Sequence, residues 1–350
     1  MAKRRILAAF LALTVSVSGC SSAKIKSTSN AETSAAIQTT TSETTAETTK
    51  APEPFKFNPH VRTKLFDECV NDDMWNSLHN LIDAVMAGED TFKCTDEKAY
   101  KWCTDEVVIG NLLPPVCTFV KGAGFENGVG KIKYKMDKDK LKARIDAFVT
   151  EIERMMNEAI RTDYTDFEKT IAIYDYMAKN FQYDFSTIDG NTVDEFSDYA
   201  CLMTKKGICC EISGAYEYLL LQCGVEAMTF SGQGESGFHE WTYVLIGGKG
   251  YHIDATWGLH GEEPSRNTIL SYFMMTDEER IRGSFEEFIE PDWIKIWKAD
   301  YDKSRYTATD TKFQVLHDGC GFAGLDTERK VIKYLDSYEN KEYEFSYSGL

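Results

Sequence analysis

Positive charge is scarce in this chain. Its 39 lysines and arginines face 56 acids, giving a formal charge of −17 over 350 residues. A nucleic-acid surface needs the opposite sign, so the balance argues against nucleic-acid binding. Long apolar runs are also missing. The stretch from Ile6 to Val17 is too short to span roughly 30 Å of hydrocarbon. There is no C-x-x-C pair, and spacings such as Cys94 to Cys103 fit no standard zinc pattern, so no metal site is expected. Asp189-Gly190-Asn191 with Asp194 and Glu195 does not follow the EF-hand order and reads as a solvated loop. Histidine is limited to six positions, so few imidazoles can act as a base.

What is present begins with an address. Lys3, Arg4 and Arg5 precede the apolar run, and Ser18-Gly19-Cys20 follows it, the order of a signal peptide over residues 1–19. Val17-Ser18-Gly19-Cys20 resembles a bacterial lipobox, which implies cleavage before Cys20 and a diacylglycerol on its sulfur. A plain secretory cut is the alternative. Removing the leader takes away three basic residues and leaves a charge of about −20. Residues 20–56 are Ser, Thr, Ala and Glu with almost no large apolar side chains. They cannot bury enough surface to offset ordering their backbone, and form a disordered tether reaching on the order of 30 Å. The expected location is the extracellular face of the membrane, touched through the lipid only, or the medium if the lipobox is not used.

Two folded parts are expected after the tether. Residues 57–136 form an N-terminal subdomain with an amphipathic helix from Asp72 to Met86, a Gly-rich loop from Gly122 to Gly130 and a strand from Lys131 to Met136. Residues 137–350 hold the main domain. Helices run from Asp139 to Ile160 and from Asp166 to Phe181, the second capped by Asp163 or Thr165. Asp184 to Thr204 reads as irregular. Trp293, Trp297 and Tyr301 suggest a packed helix or turn, and short strands follow between Asp310 and Leu350.

The chemistry concentrates in Lys205–Gly224, KKGICCEISGAYEYLLLQCG. Ten cysteines less the lipidated Cys20 leave nine, so in an oxidising compartment at least one thiol stays free or pairs with another molecule. Placed on a helix over 208–222 at about 100° per residue, Ile208, Ile212, Ala215, Tyr216, Leu219 and Leu220 make one buried face. Cys209 lies inside one edge of that face, whereas Cys210 points roughly 150° from its centre. Gly207 allows a sharp turn into the helix. Cys209 then falls in the first turn, where unpaired amides and the helix dipole favour a thiolate. A small buried hydrophobe is the other reading of both cysteines, and a nucleophile also needs a base.

That base lies in FHEWTYVLIGGKGYHIDATWG, residues 238–258, where two strand-like runs flank Gly247-Gly248, a two-residue hairpin turn. Pairing Ile246 with Lys249 sets Trp241 opposite Asp254. His239 is then diagonal to Asp254 on one face, about 7–8 Å between backbones. The hairpin thus offers His239 as base and Asp254 as the group that fixes its tautomer. His252, on the same face, is the rival base. His60, His79, His260 and His317 have no such setting.

Gly207-Ile208-Cys209 with its helix, then His239-Glu240-Trp241-Thr242, then Tyr251-His252-Ile253-Asp254-Ala255-Thr256-Trp257 resembles the bacterial transglutaminase-like superfamily. Tyr272-Phe273 and Thr276-Asp277-Glu278 are similar to a segment that often follows. Glu211-Ile212-Ser213 departs from the common G-Y-A, and Glu240 and Thr242 depart from H-A-W-N. The resemblance implies a papain-like α+β fold, its catalytic helix packed on an antiparallel sheet and preceded by a mostly helical N-terminal part. It implies Cys209 as nucleophile, His239 as base and Asp254 as its orienter, with Tyr199 near the oxyanion site and Trp241 in the cleft. The implied activity is attack on an amide or peptide bond of a protein or peptide through a thioester, without a cofactor. Hydrolysis is favoured over transfer because it needs only water. A catalytically silent tethered module holding peptide or glycan is the competing reading.

Overall fold

In a computed structural model of the chain, the described residues are 52–187, 197–234, 237–261, 263, 266–282, 288–291 and 301–350. The leader, Cys20, residues 21–51 of the tether, the acidic loop at 189–195 and the tryptophans at 293 and 297 lie outside them.

Helix α1 (Asp72–Ala87) begins where the Asn71 side chain accepts the Met74 N–H and ends at Gly88, whose φ of 71° is left-handed. Strand β1 (Thr91–Lys93) leads to α2 (Glu97–Cys103) and α3 (Glu106–Leu112), capped by Asp96 and Asp105. Trp75 and Trp102 meet edge to face at 5.4 Å and centre this part of the core. The glycine-rich segment expected to be a loop is instead largely strand. β2 (Val120–Glu126) and β3 (Val129–Tyr134) pair antiparallel with a bulge between Gly122 and Gly124, and β1 adds to the other edge of β3. Close approach, not flexibility, explains two of these glycines. A Cβ on Gly130 would lie 2.4 Å from the Phe92 ring, and one on Gly122 2.6 Å from the Tyr100 hydroxyl. Gly130→Ala should therefore cost about 1–3 kcal/mol in urea unfolding through overpacking.

Helices α4 (Lys138–Ala159) and α5 (Asp166–Asn180) bury the expected stripes, including Phe148, Ile152, Ile171 and Tyr174. Thr165 caps α5 in a reciprocal box with Glu168. The two-residue strand β4 (Gln182–Tyr183) follows, and the region expected to be irregular from Asp184 to Thr204 ends in a helix, α6 (Asp198–Thr204). Strand β5 (Lys206–Gly207) pairs parallel with β4 and feeds α7 (Cys209–Gln222). Every α7 residue from Glu211 to Gln222 is buried, not just one face. Tyr216 donates to the Thr170 carbonyl at 2.9 Å and ties α7 to α5. The central helix is enclosed on all sides.

One side of that enclosure is an antiparallel sheet. β6 (Glu226–Gly234), β7 (Gly237–Ile246) and β8 (Lys249–Ile253) follow in sequence. The hairpin register is the expected one: Ile246 faces Lys249, with Gly247 and Gly248 at φ of 58° and 78°. The one-turn helix α8 (Ala255–Gly258) follows, then β9 (Thr268–Ile269), α9 (Asp277–Arg282) and β10 (Phe288–Pro291). β10 joins the other edge of β6, giving the order β10-β6-β7-β8. The last strands, β11 (Cys320–Asp326), β12 (Val331–Asp336) and β13 (Lys341–Ser346), form a second antiparallel sheet completed by β9. Tyr347 donates to Glu168 at 2.6 Å, locking this sheet to α5. The chain is α+β, with a buried helix lying on an antiparallel sheet.

Candidate active site

The site starts where α7 starts. Gly207 is needed for space, not for a turn: its φ is not left-handed, and a Cβ there would meet Cys201 Sγ at 2.9 Å and Glu211 Cβ at 3.0 Å. Ile208 has no side chain to cap the helix, so Glu211 reaches back and accepts the Ile208 N–H at 3.0 Å. Its other oxygen accepts the Ser197 N–H at 2.9 Å and fixes the start of α6. Burial pushes the Glu211 carboxyl up to about 7, against these two donors.

Cys209 and Cys210 are the first two residues of α7, and both are half-buried thiols. The sequence sets them in different directions, yet in the first turn their sulfurs share a hydrogen bond. They are not equivalent. The Cys210 S–H donates to Cys209, and, against burial, the His239 imidazole and the Glu240 backbone N–H also favour a Cys209 thiolate, lowering its pKa to about 4. Cys210 is driven the other way by the same hydrogen bond, by burial and by the carboxylates of Glu240 and Glu211. The anion belongs on Cys209.

His239 comes from β7 and Asp254 from the residue after β8. Their register makes them diagonal neighbours, and Nε2 of the ring lies 2.7 Å from Asp254 Oδ2. This leaves Nδ1 as the nitrogen available to the thiol. Burial opposes a charged imidazole, but Asp254 and Cys209 outweigh it and raise its pKa to about 9. Asp254 is wholly buried, which favours its neutral form. His239, Arg280 and the Trp257 N–H, 3.1 Å from Oδ1, overcome that and hold it ionised. Asp254 thus both caps α8 and orients His239. The Trp257 ring stacks on His239 at 5.1 Å and 19°, restricting its swing.

The rival histidine is committed elsewhere. His252 is wholly buried; its Nδ1 accepts the Trp241 indole N–H at 2.9 Å, and its Nε2 lies 2.9 Å from Asp277 Oδ1. Burial lowers its pKa despite Asp277. Both ring nitrogens are occupied, so it has none for the thiol.

Two assignments change. Trp241 has no solvent exposure, and its indole N–H is used by His252, so it lies beneath His239 rather than lining the cleft. The Tyr199 ring packs on Phe148 at 5.7 Å and under the Arg144 guanidinium at 3.3 Å, facing α4 instead of the thiols. The tyrosine that senses the thiols is Tyr183. Burial and the nearby Cys209 and Cys210 raise its pKa, and its ring packs at 4.8 Å on Phe185, which is 60% exposed. Its signal in sequence is weak, because only the β4–β5 pairing brings it beside Gly207.

The arrangement can therefore hold a thiolate and an imidazolium in contact, with a buried carboxylate behind the ring. Residues 153–255, which include Cys209, His239 and Asp254, match the family model of the transglutaminase-like superfamily. No curated protein matches the chain. Three solved structures show distant similarity. A TGase is 17% identical over 40% of this chain and 45% of its own, with a TM-score of 0.27. A proposed cysteine protease from Cytophaga hutchinsonii is 13% identical over 49% of this chain and 66% of its own, at 0.28. A proposed protease from Parabacteroides distasonis is 13% identical over 38% and 35%, at 0.22. The chain spans less than two thirds of each of these proteins.

Proposed function

We propose that this chain, whose residues 153–255 carry a transglutaminase-like core, is a thiol enzyme acting on amide or peptide bonds of proteins or peptides. The observation that carries the reading is His239 held 2.7 Å from the buried Asp254, with the ring electrostatically coupled to Cys209 at the open end of a buried helix. Cys209 Sγ attacks the carbonyl carbon, and the developing oxyanion meets the amides of the first turn of α7, which have no intrahelical acceptor. The His239 imidazolium gives its proton to the leaving amine, and the C–N bond breaks to leave a thioester. Neutral His239 then takes a proton from water, whose hydroxide attacks the thioester and releases the acid and the Cys209 thiolate, restoring the ion pair. An amine in place of water would give transfer. Water needs no second binding site, so hydrolysis is the preferred outcome. The leader and Cys20 support a location on the outer face of the membrane, tethered by lipid.

The test is mass-spectrometric product analysis with a panel of peptides, with and without added primary amines, for wild type and Cys209→Ala. New carboxyl termini or deamidated glutamines, absent with Cys209→Ala, are expected; amine adducts would replace hydrolysis with transfer. Binding of peptide with no product from wild type would sink the enzyme reading.

A further inference from the structure

We infer that Arg280 is a positioning residue of this site, a fixed counter-charge that keeps Asp254 ionised while the charge on His239 changes during turnover. The inference rests on the thiol-enzyme reading above.

Arg280 comes from α9, outside the three sequence motifs, and is 1% exposed. Its Nη2 lies 3.0 Å from Asp254 Oδ2, the oxygen that also faces His239 Nε2 at 2.7 Å. Its guanidinium is sandwiched between indoles, 4.2 Å from the Trp241 ring centroid and 4.7 Å from that of Trp257. Trp257 is the ring that stacks on His239. The carboxylate, the base and the guanidinium are thus held by one set of aromatic walls. From α9, Asp277 also holds His252, so this short helix grips the hairpin at two points.

The charges facing the pair define the role. Around His239 stand the Cys209 thiolate, Asp254 and the indoles of Trp241 and Trp257. Around Asp254 stand His239, Arg280 and the phenols of Tyr174 and Tyr272, whose pKa values are raised mainly by burial and so stay neutral. Around Arg280 stand Asp254, Tyr272 and His252, which burial keeps neutral. Thiolate, imidazolium, carboxylate and guanidinium form an alternating row. When His239 has given up its proton, Asp254 would be a buried carboxylate without a counter-ion if His239 were its only cationic partner, and its own pKa would climb. A guanidinium does not titrate in the working range, so it holds the carboxylate charged through both half-reactions.

The sign of its influence on His239 is opposite to that of Asp254. Both nitrogens contact the same oxygen, so they are no more than about 6 Å apart, close enough for the two cations to repel strongly. Loss of Arg280 should raise the pKa of His239 from about 9 by roughly one to two units. The experiment titrates His239 by NMR of the labelled imidazole in wild type, Arg280→Gln and Arg280→Lys. Peptide turnover against pH is measured in parallel. The neutral variant should raise the pKa and lower kcat/KM by about tenfold or more, and the lysine variant should restore the titration. Arg280→Met, which fills the slot between the indoles without charge, replaces Arg280→Gln should that variant not fold. An unshifted His239 in the folded neutral variant, or an equal shift in the lysine variant, would overturn the inference. Turnover absent from wild type would reject the enzyme reading alone, because the titration needs no substrate.

Discussion

Replacing Cys209 by alanine should lower amide turnover by at least about 10⁴-fold and leave the fold intact. The side chain is small, half-buried and at the first position of α7, so its removal opens little space and breaks no helical hydrogen bond. What it removes is the sulfur that faces His239. Cys210 should not substitute for it. With Cys209 gone, Cys210 keeps the carboxylates of Glu240 and Glu211 as neighbours and its thiol stays protonated. Cys210→Ser should retain most activity, because a hydroxyl can still donate a hydrogen bond to the Cys209 thiolate, whereas Cys210→Ala should weaken that anion. The measurement is single-turnover hydrolysis of the best peptide found by product analysis, alongside thermal melting. Turnover by Cys209→Ala within tenfold of wild type would remove Cys209 from the reaction.

The asymmetry between these two thiols was legible in sequence for one reason and true for another. Helical periodicity sends them in different directions, yet both lie in the first turn and touch each other. What separates them is His239 on one side and Glu240 with Glu211 on the other. The hairpin was more transparent. Two adjacent glycines allow a tight turn, the turn sets the register, and the register alone places His239 diagonal to Asp254. Arg280 was beyond reach. Nothing local marks an arginine in Asp277-Glu278-Glu279-Arg280 as buried, because its burial depends on two tryptophans brought together by the sheet and α8. The glycine-rich β2 failed for a related reason. Gly122 of β2 answers to Tyr100 and Gly130 of β3 to Phe92, side chains from other elements. Trp241 was misplaced because alternation gives the face of a strand but not the depth at which that face is covered. A buried indole needs a hydrogen-bond acceptor, and His252 provides one across the hairpin.

The pH dependence of labelling should separate Cys209 from every other cysteine, provided the midpoint and not the rate is used. With a pKa of about 4, Cys209 is nearly all thiolate at pH 5, whereas an ordinary thiol near 8.5 is ionised to about one part in 3000. A stabilised thiolate is also a weaker nucleophile. With a Brønsted slope of about 0.45, a drop of 4.5 units costs about 100-fold in intrinsic reactivity. The net preference for Cys209 at pH 5 is therefore roughly thirtyfold; it vanishes near about pH 6.5 and reverses above that, so labelling at neutral pH discriminates poorly. Iodoacetamide followed by peptide mapping from pH 3 to 10 should give a midpoint near 4 for Cys209. Removing the imidazolium in His239→Ala withdraws a positive neighbour, so the midpoint should move up and labelling at pH 5 should fall. Peptide turnover needs both charges. It should rise as pH passes about 4, where the thiolate forms, and fall through about 9, where the His239 imidazolium that protonates the leaving amine is lost. The acid limb and the labelling midpoint must coincide, because both count the same proton on the same sulfur. A Cys209 midpoint near 8.5, unmoved by His239→Ala, would mean that sulfur and ring do not form an ion pair, and the proposed chemistry would lose its nucleophile.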